Sequence, residues 1–405
     1  MSHGLAWQAV ASPARTPLGV YVHFPWCVSK CPYCDFNSHA LRGELPESGY
    51  VAAMQRDIET HLNSAPTDFA TREVVSVFLG GGTPSLFSPT AIGQVLDGLR
   101  TKLRLAADVE VTMEANPATI ERGRFAEYRA AGVNRVSLGA QSFSLSALKA
   151  LGRIHTPAET RLAAEELHAA GIDNFNIDLM YGLPGQDVAS ALQDLQSALE
   201  LGPAQISHYH LTMEPGTPFA VQPPPGLPQD ELIDEILSAC QQTFGSHDFW
   251  QYEVSAYARL GSECRHNLVY WTFGDYLGLG AGAHGKLSGP DPEDGRVQIW
   301  RSQRPRDPRR YQREVERPVS WKPVPPIERP FEFMLNALRL SAGVPAELFA
   351  ARTGLPLECQ RSTLEGLLRE GYLAGDPMVM GRLQASARGF RYLNEVLLQF
   401  LPQQN

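Results

Sequence analysis

The chain has 405 residues, of which 43% are hydrophobic and 20% are charged, so it can bury a large core and is expected to divide into about two domains. Its formal net charge of −9 at pH 7 argues against a general nucleic-acid binder, which is usually basic. The sequence has no apolar run of the roughly 18 residues that cross a membrane, and its N-terminus lacks a secretory signal pattern. A cytoplasmic location is therefore expected, where clustered thiols bind metals more often than they form disulfides.

Short apolar runs alternate with amphipathic helical patterns from residue 18 to about residue 212. The runs read GVYVHF, VVSVFLGGG, DVEVTMEAN, GVNRVSLGA, NFNIDLMYGLP and QISHYHLTM. The helical patterns between them are YVAAMQRDIETHL, AIGQVLDGLRTKL, TIERGRFAEYRAAG, which begins at Thr119, and TRLAAEELHAAG. Six strand–helix units in series predict a parallel sheet and favour a (β/α) barrel, complete or open. Polar and glycine-rich residues follow the strands directly, where a parallel barrel gathers its functional loops.

The pattern changes after residue 212, where QPPPGLP predicts a linker or a lid and a helix is expected at about residues 229–246. Residues 289–330 are rich in Pro, Arg and Asp and are expected to be an irregular excursion. The residues after 330 predict a mainly α-helical, winged-helix-like packing module, which lacks the excess of basic residues expected of a DNA-binding domain. The predicted organisation is an N-terminal tail over residues 1–17, an α/β barrel over 18–260 and a C-terminal domain over 261–405.

Three of the six cysteines, Cys27, Cys31 and Cys34, form a C-x3-C-x2-C motif directly after the first predicted strand. Thiolates are the usual ligands of iron–sulfur clusters, normally one for each iron. Three cysteines therefore leave one iron of a four-iron cluster open to a small molecule, much as a catalytic zinc keeps an open position. The alternative is a zinc site completed by His23 or His39. The scattered cysteines are expected to be buried small hydrophobic side chains: Cys240, Cys264 and Cys359.

The cysteine motif resembles that of the radical S-adenosylmethionine (SAM) superfamily. The resemblance implies a partial (β/α)6 barrel, a [4Fe-4S] cluster on the three cysteines, and SAM on the fourth iron, where it is cleaved to a 5′-deoxyadenosyl radical. In FLGGGTP, three glycines from Gly80 let backbone amides approach a ligand, and the resemblance implies contact with the amino group of SAM. The alternative for the glycines is a simple tight turn. Glu114 can accept hydrogen bonds from ribose hydroxyls; the alternative is a solvated glutamate or one that caps the following helix.

The string YVHFPWCVSKCPYCDFNSH, with FLGGGTP, GAQSF, NIDLMYGLPGQ and EPGTP, is similar to the oxygen-independent coproporphyrinogen III oxidase family from about Tyr21 to the C-terminal helices. True oxidases carry a further cysteine at the position of Phe36 and a longer N-terminal segment. Both departures are typical of the HemW branch, whose members are regarded as haem chaperones. The resemblance assigns these positions to cofactor binding: Tyr21, Phe36, Gly81, Gly82, Thr83 and Glu114, and for a second SAM Gln141, Arg153 and Asp178.

HemW proteins also carry an H-N-x-x-Y-W motif, which is present here as His266, Asn267, Tyr270 and Trp271. Neutral imidazole is a common axial ligand of haem iron, and tyrosine and tryptophan offer flat faces to a porphyrin. In a helix, His266 and Tyr270 would share one face. The resemblance therefore predicts haem binding at this motif, against the alternative of a satisfied core histidine. Other histidines are less favoured as ligands: His208, His210 and His284.

Two functions follow from the resemblance. The first is a cytoplasmic haem carrier with a SAM-liganded [4Fe-4S] cluster, which hands haem to acceptor proteins and draws electrons from a donor such as flavodoxin or ferredoxin. The second is an enzyme, a coproporphyrinogen III dehydrogenase of porphyrin biosynthesis. Phe36 favours the carrier, which is not expected to turn over. Contact with membrane-bound acceptors at the membrane periphery, and a homodimer formed by exposed C-terminal helices, are also expected; nucleic acid is not.

Overall fold

The computed structural model describes residues 15–118, 123–291 and 294–402. Within these ranges a twelve-stranded mixed sheet forms the centre of the molecule, in the order β12-β11-β10-β9-β1-β2-β3-β4-β5-β6-β8-β7. Its strands are β1 Leu18–Phe24, β2 Glu73–Gly81, β3 Arg104–Ala115, β4 Arg135–Gln141, β5 Phe175–Tyr181, β6 Gln205–His210, β7 Trp250–Glu253, β8 Ala256–Ala258, β9 Asp275–Leu279, β10 His284–Pro290, β11 Val297–Gln303 and β12 Trp321–Pro323. Neighbours from β9 through β1 to β6 are parallel, and the outer pairs are antiparallel.

The six strands predicted from the sequence are confirmed as β1 to β6 and lie side by side in chain order. Both faces of such a parallel sheet are covered, so its strands are almost continuously apolar. In β1, for example, Leu18, Val20, Val22 and Phe24 are all fully buried. The α/β class with an open barrel-type sheet is therefore confirmed.

Helices connect the parallel strands, and several begin at the side-chain caps that the sequence places before them. The Ser88 hydroxyl accepts a hydrogen bond from Ala91 N at 3.1 Å, and Thr156 and Glu159 form a reciprocal capping box. The helices are α1 Glu47–Ser64, α2 Pro89–Lys102, α3 Phe125–Ala131, α4 Leu145–Ala150, α5 Pro157–Ala169, α6 Val188–Glu200, α7 Pro218–Val221, α8 Asp230–Ser246, α9 Arg265–Trp271, α10 Pro308–Glu314, α11 Arg329–Ala337, α12 Glu347–Thr353, α13 Arg361–Arg369, α14 Pro377–Met380, α15 Ala387–Arg391 and α16 Leu393–Leu398. The predicted start of α3 near Thr119, like residues 1–14 of the predicted tail, lies outside the described residues.

The expectation that residues 289–330 are irregular is wrong. They contain β11, α10 and β12, and β10 ends among them. Their prolines occupy positions that regular elements tolerate. Pro308 is the first residue of α10, which Asp307 caps by accepting a hydrogen bond from Arg310 N at 2.7 Å. Pro323 ends β12, the edge strand of the sheet.

The C-terminal part is mainly helical, as expected, and has its own cluster of buried side chains, among them Phe333, Leu348 and Leu367. A two-stranded antiparallel sheet, Val344–Pro345 with Arg382–Leu383, accompanies its helices. The domain boundary at residues 260/261 stays a prediction. No described helix is both long and apolar enough to cross a membrane.

A buried ionic cluster fastens β9, the parallel strand that the sequence did not reveal. Asp275 accepts a hydrogen bond from Arg72 Nη1 at 2.8 Å and from Lys286 Nζ at 3.0 Å. Asp275 is fully buried and Lys286 is 1% exposed. Burial alone would raise the pKa of Asp275, but Lys286 and Arg72 hold it below its usual range. Buried ion pairs therefore join Asp275 of β9 to Lys286 of β10 and to Arg72, which precedes β2, and removing one partner would leave the others buried without a counter-charge.

We expect Asp275→Asn to lower the free energy of unfolding by about 3 kcal/mol or more, because it leaves the Lys286 ammonium buried without its carboxylate. Urea unfolding measures the loss. Asp97→Asn is the matched control, because Asp97 pairs with Arg100 on the surface with 72% of its side chain exposed, and such pairs contribute at most about 1 kcal/mol. Equal losses in the two variants would contradict the proposed role of the cluster.

Candidate functional site

One cavity at the carboxyl ends of the parallel strands brings together almost all the positions that the sequence assigned to the cluster and SAM. We call it the cysteine cavity. Its lining includes the predicted residues Cys27, Cys31, Cys34, Phe36, Gly81, Gly82, Thr83, Glu114, Gln141, Arg153 and Asp178. They come from the loop after β1, from the ends of β2, β3 and β4, from the middle of β5, and from the segment after α4. This is the edge at which parallel sheets place their ligands.

The cysteine loop is held by short-range contacts. Trp26–Cys27 pairs with His39–Ala40 in a small parallel ladder, and Cys34 N donates to the Cys31 carbonyl at 3.1 Å. Arg153 Nη1 lies 3.6 Å from Cys31 Sγ, which puts a positive charge beside a predicted cluster ligand. Burial raises the pKa of the Cys27 thiol.

The histidines do not complete a zinc site around these cysteines. His23 uses both ring nitrogens, toward the Tyr21 hydroxyl at 3.0 Å and the Asn37 carbonyl at 2.9 Å. His39 lines a different cavity, which also contains Trp26 and Arg42. Among the described residues, no three His, Cys, Asp or Glu side chains are grouped to hold a single metal ion. The loop therefore presents three thiols without a fourth protein ligand from either histidine.

The glycine loop at the end of β2 packs tightly against the cysteine loop. Gly82 N donates to the Phe24 carbonyl at 2.7 Å, and Thr83 N donates to the Trp26 carbonyl at 2.8 Å. Gly81 N donates to Glu114 Oε2 at 2.9 Å. The protein therefore already uses these three amides as donors, and the predicted contact of this loop with SAM stays a prediction. An amino group donates hydrogen bonds and therefore needs acceptor atoms rather than amides.

Glu114, at the end of β3, and Asp178 are both carboxylic acids that line the cavity. Its carboxyl accepts the Gly81 amide and is otherwise turned toward the open space of the cavity. Burial raises the pKa of Glu114 to about 8, and the nearby Asp178 adds to the rise. A carboxyl in this position can form further hydrogen bonds to hydroxyl groups of a ligand.

Gln141 is the last residue of β4, and Asp178 lies in the middle of β5. Gln141 has a φ of 68°, which a non-glycine residue rarely adopts and which is often found at functional sites. Its Oε1 accepts a hydrogen bond from the Tyr209 hydroxyl at 2.6 Å. Asp178 accepts from Asn176 Nδ2 at 2.7 Å, and burial raises its pKa. Tyr209 also lines the cavity, although the sequence analysis did not name it as a site residue. Its position near the end of the sixth predicted strand could have identified it.

A second cavity of about 430 Å³ adjoins the first and shares Phe36, Gly81 and Glu114 with it. We call it the aromatic cavity. Tyr21 lies here and not in the cysteine cavity, although the sequence grouped it with the SAM residues. The other side chains that line the aromatic cavity are His23, Asn37, Tyr270, Tyr276, His284, Gln303 and Arg306.

The H-N-x-x-Y-W motif forms α9, but its side chains point to different surroundings. His266 and Tyr270 share a helix face as expected, with His266 Nε2 2.9 Å from the Tyr270 hydroxyl. Tyr270 lines the aromatic cavity. Trp271 packs under the Arg339 guanidinium, which lies 4.4 Å from the indole centroid, and Asn267 lines neither this cavity nor the cysteine cavity. Of the four residues of the motif, Tyr270 alone lines the aromatic cavity or the cysteine cavity.

The scattered cysteines, together with His208 and His210, lie outside both cavities. Cys240 and Cys264 are buried, as expected, whereas Cys359 is exposed, so that expectation is wrong for Cys359. His208 is buried between aromatic rings, stacked on Tyr181 at 4.6 Å. His210 stacks on the same ring at 5.4 Å. Neither histidine lines the cysteine cavity or the aromatic cavity.

The sequence of the chain is similar to known family models and to two characterised relatives along most of its length. A model of the Radical SAM superfamily matches residues 21–198, and a model of the HemN C-terminal domain matches residues 324–392. The heme chaperone HemW of Escherichia coli (strain K12) is 46% identical over 387 residues, which are 95% of this chain and 98% of that protein. The heme chaperone HemW of Haemophilus influenzae is 42% identical over 392 residues, 97% of this chain and 100% of that protein.

A solved structure supports the fold. The coproporphyrinogen III oxidase HemN of Escherichia coli, a radical SAM enzyme, superposes with a TM-score of 0.77 over 97% of this chain and 92% of that chain, at 23% identity. Sheet, cysteine motif and family model together define a radical SAM protein. Within that superfamily, the chain belongs to the HemW family.

The raised pKa of Glu114 makes stability depend on pH. Between about pH 4.5 and 8 the folded chain holds a proton on Glu114 that the unfolded chain has released, so stability falls as the pH rises. Glu114→Gln cannot lose that proton. We therefore expect the variant to gain roughly 1 to 3 kcal/mol relative to the wild type between pH 5 and pH 9, while it binds SAM more weakly. Urea unfolding at the two pH values measures the gain.

Glu127→Gln is the control for that experiment, because Glu127 is exposed in the first turn of α3. It should show no such gain. A Glu114→Gln variant whose stability follows the wild type at both pH values would show that Glu114 is ionised in the folded chain throughout.

Proposed function

We propose that the protein is a haem chaperone that carries a [4Fe-4S] cluster and SAM in the cysteine cavity. The two HemW relatives, each matched over nearly its whole length, support this function. The observation that carries the proposal is the convergence of three thiols and the predicted SAM residues on one cavity, which adjoins a second, aromatic cavity.

In this proposal Cys27, Cys31 and Cys34 would hold the [4Fe-4S] cluster, and SAM would bind beside it in the same cavity. When bound, the cluster supplies an electron and an open iron corner. The chain itself positions the ligand: Glu114 meets the ribose hydroxyls, and oxygen atoms of the glycine loop meet the amino group. Arg153, beside Cys31 Sγ at 3.6 Å, offsets the negative charge that thiolates and reduced iron bring into the cavity.

Gln141, Arg153 and Asp178 would serve a second SAM molecule. They line the same cavity as the first set. Arg153 also contacts Cys31, and Gln141 is bonded to Tyr209. These contacts support a role in shaping the cavity whether one or two SAM molecules bind.

The proposed carrier works without repeated turnover. Phe36, 57% exposed at the wall between the two cavities, stands where the resemblance expects the further cysteine of the oxidases. We propose that haem passes from this protein to acceptor proteins, and that flavodoxin or ferredoxin supplies electrons. A cytoplasmic location, peripheral contact with membrane-bound acceptors and a homodimer remain part of the proposal.

An anaerobic assay with coproporphyrinogen III, SAM and a reductant tests the proposal against the enzyme alternative. We expect less than about one protoporphyrinogen per chain, together with stoichiometric haem binding by the same preparation. The Escherichia coli oxidase HemN is the positive control for the assay. Repeated turnover by this protein, equal to that of the control, would contradict the chaperone proposal.

A further inference from the structure

His266 is enclosed and both of its ring nitrogens are engaged. Nδ1 lies 2.9 Å from the Ser76 hydroxyl and Nε2 lies 2.9 Å from the Tyr270 hydroxyl. The residue is 1% exposed, and burial lowers its pKa to about 3. An axial ligand needs one nitrogen with an open path to iron. His266 offers none unless β2 and α9 separate.

His284, in contrast, opens directly into the aromatic cavity. It is the first residue of β10 and pairs with Gln303 of β11, so its backbone is held in the sheet. Its side chain is exposed and lines the cavity. In the described part of the chain, no hydrogen-bond partner occupies either ring nitrogen. The position is therefore rigid at the backbone and open at the ring.

The walls of the aromatic cavity suit a flat, anionic, largely apolar ligand. Tyr270 and Tyr276 pack edge to face, with centroids 4.5 Å apart at 88°, and both line the cavity. Arg306 stands at its exposed rim, and its guanidinium has no ion-pair partner among the described residues. Aromatic faces bind a porphyrin plane, and a free guanidinium binds carboxylates such as porphyrin propionates.

We propose that His284 is the axial ligand of haem in the aromatic cavity and that His266 is a positioning residue, which holds Tyr270 in the cavity wall. The inference rests on the proposed haem-chaperone function and assigns its site. It also explains how the H-N-x-x-Y-W motif takes part: its tyrosine forms the wall, and its histidine, bonded to that tyrosine at 2.9 Å, keeps the wall in place.

The charge around His284 favours the form that binds iron. Partial burial lowers the pKa of His284, and the guanidinium groups of Arg301 and Arg306 lower it further. The imidazole is therefore neutral at neutral pH, and neutral imidazole is the metal-binding form. Of these two arginines, Arg301 is held by the Tyr276 hydroxyl at 2.6 Å and by Glu332, so Arg306 is the one free to receive a propionate.

The aromatic cavity also lies next to the predicted SAM corner. Phe36, Gly81 and Glu114 line both cavities. Haem on His284 would therefore sit one side chain away from the cluster compartment. In this arrangement the occupancy of one compartment can influence the other through Phe36 and Glu114.

Haem titration of the full chain, followed by Soret difference spectra and by electron paramagnetic resonance of the ferric complex, tests the assignment. We expect His284→Ala to weaken haem binding by about tenfold or more and to lose the histidine-ligated signature, which added imidazole restores. His266→Phe should keep that signature, even if its affinity falls. His210→Ala, a partly buried histidine outside the cavity, should match the wild type.

A His284→Ala variant that keeps both the affinity and the signature would overturn the assignment, and loss of the signature in His266→Phe alone would return the ligand to His266. Failure of the wild type to bind haem would instead refute the proposed function itself.

The propionate contact has its own test: Arg306→Gln should weaken haem binding by about threefold to tenfold and leave the binding of haem dimethyl ester unchanged. Equal weakening of both ligands would remove Arg306 from the site.

Discussion

The site depends on the close approach of two backbone segments, the cysteine loop and the glycine loop. Two amide hydrogen bonds join them, Gly82 N to Phe24 O at 2.7 Å and Thr83 N to Trp26 O at 2.8 Å. A Cβ at Gly82 would lie 2.6 Å from the Trp26 carbonyl oxygen, so a side chain there would force the segments apart. The glycine therefore fixes the position of Cys27, and with it the first of the three thiols, relative to the parallel sheet.

The parallel sheet supplies the other walls of the site. Because β1 to β6 run in the same direction, the residues that end them meet at one edge. Glu114 and Gln141 reach the cysteine cavity in this way, and Asp178 reaches it from the middle of the next strand, β5. The antiparallel strands that follow β9 extend the sheet on the other side of β1 and bring His284 and Gln303 to the neighbouring cavity. The division of the chain into parallel and antiparallel strands thus creates two adjoining compartments with different chemistry.

Much of this could be predicted from the sequence where the signal was local. The apolar runs of β1 to β6 are continuous because both faces of the parallel sheet are buried, so their number and order were correct. The cysteine motif and the polar residues after each strand marked one edge for the same reason. β10 and β11 were missed because they carry polar, glycine and proline residues on an outlying antiparallel part of the sheet, where the alternation is weak.

Side-chain direction could not be predicted in the same way. The motif around His266 gave the helical spacing correctly, but burial and the contact with Ser76 depend on packing between β2 and α9, which lie far apart in the sequence. Tyr21 was grouped with the SAM residues because it lies six positions before Cys27; in the structure it lines the aromatic cavity together with Glu114, and its contact with SAM stays a prediction. Tertiary contacts of this kind decide which face a motif presents.

Mössbauer spectroscopy of the anaerobically reconstituted protein, with and without SAM, tests the central claim most directly. The account predicts a [4Fe-4S] cluster in which one iron differs from the other three and changes its isomer shift when SAM binds, because three cysteines leave that iron to an external ligand. Four equivalent irons that ignore SAM, or a protein that assembles with zinc and no cluster, would contradict it.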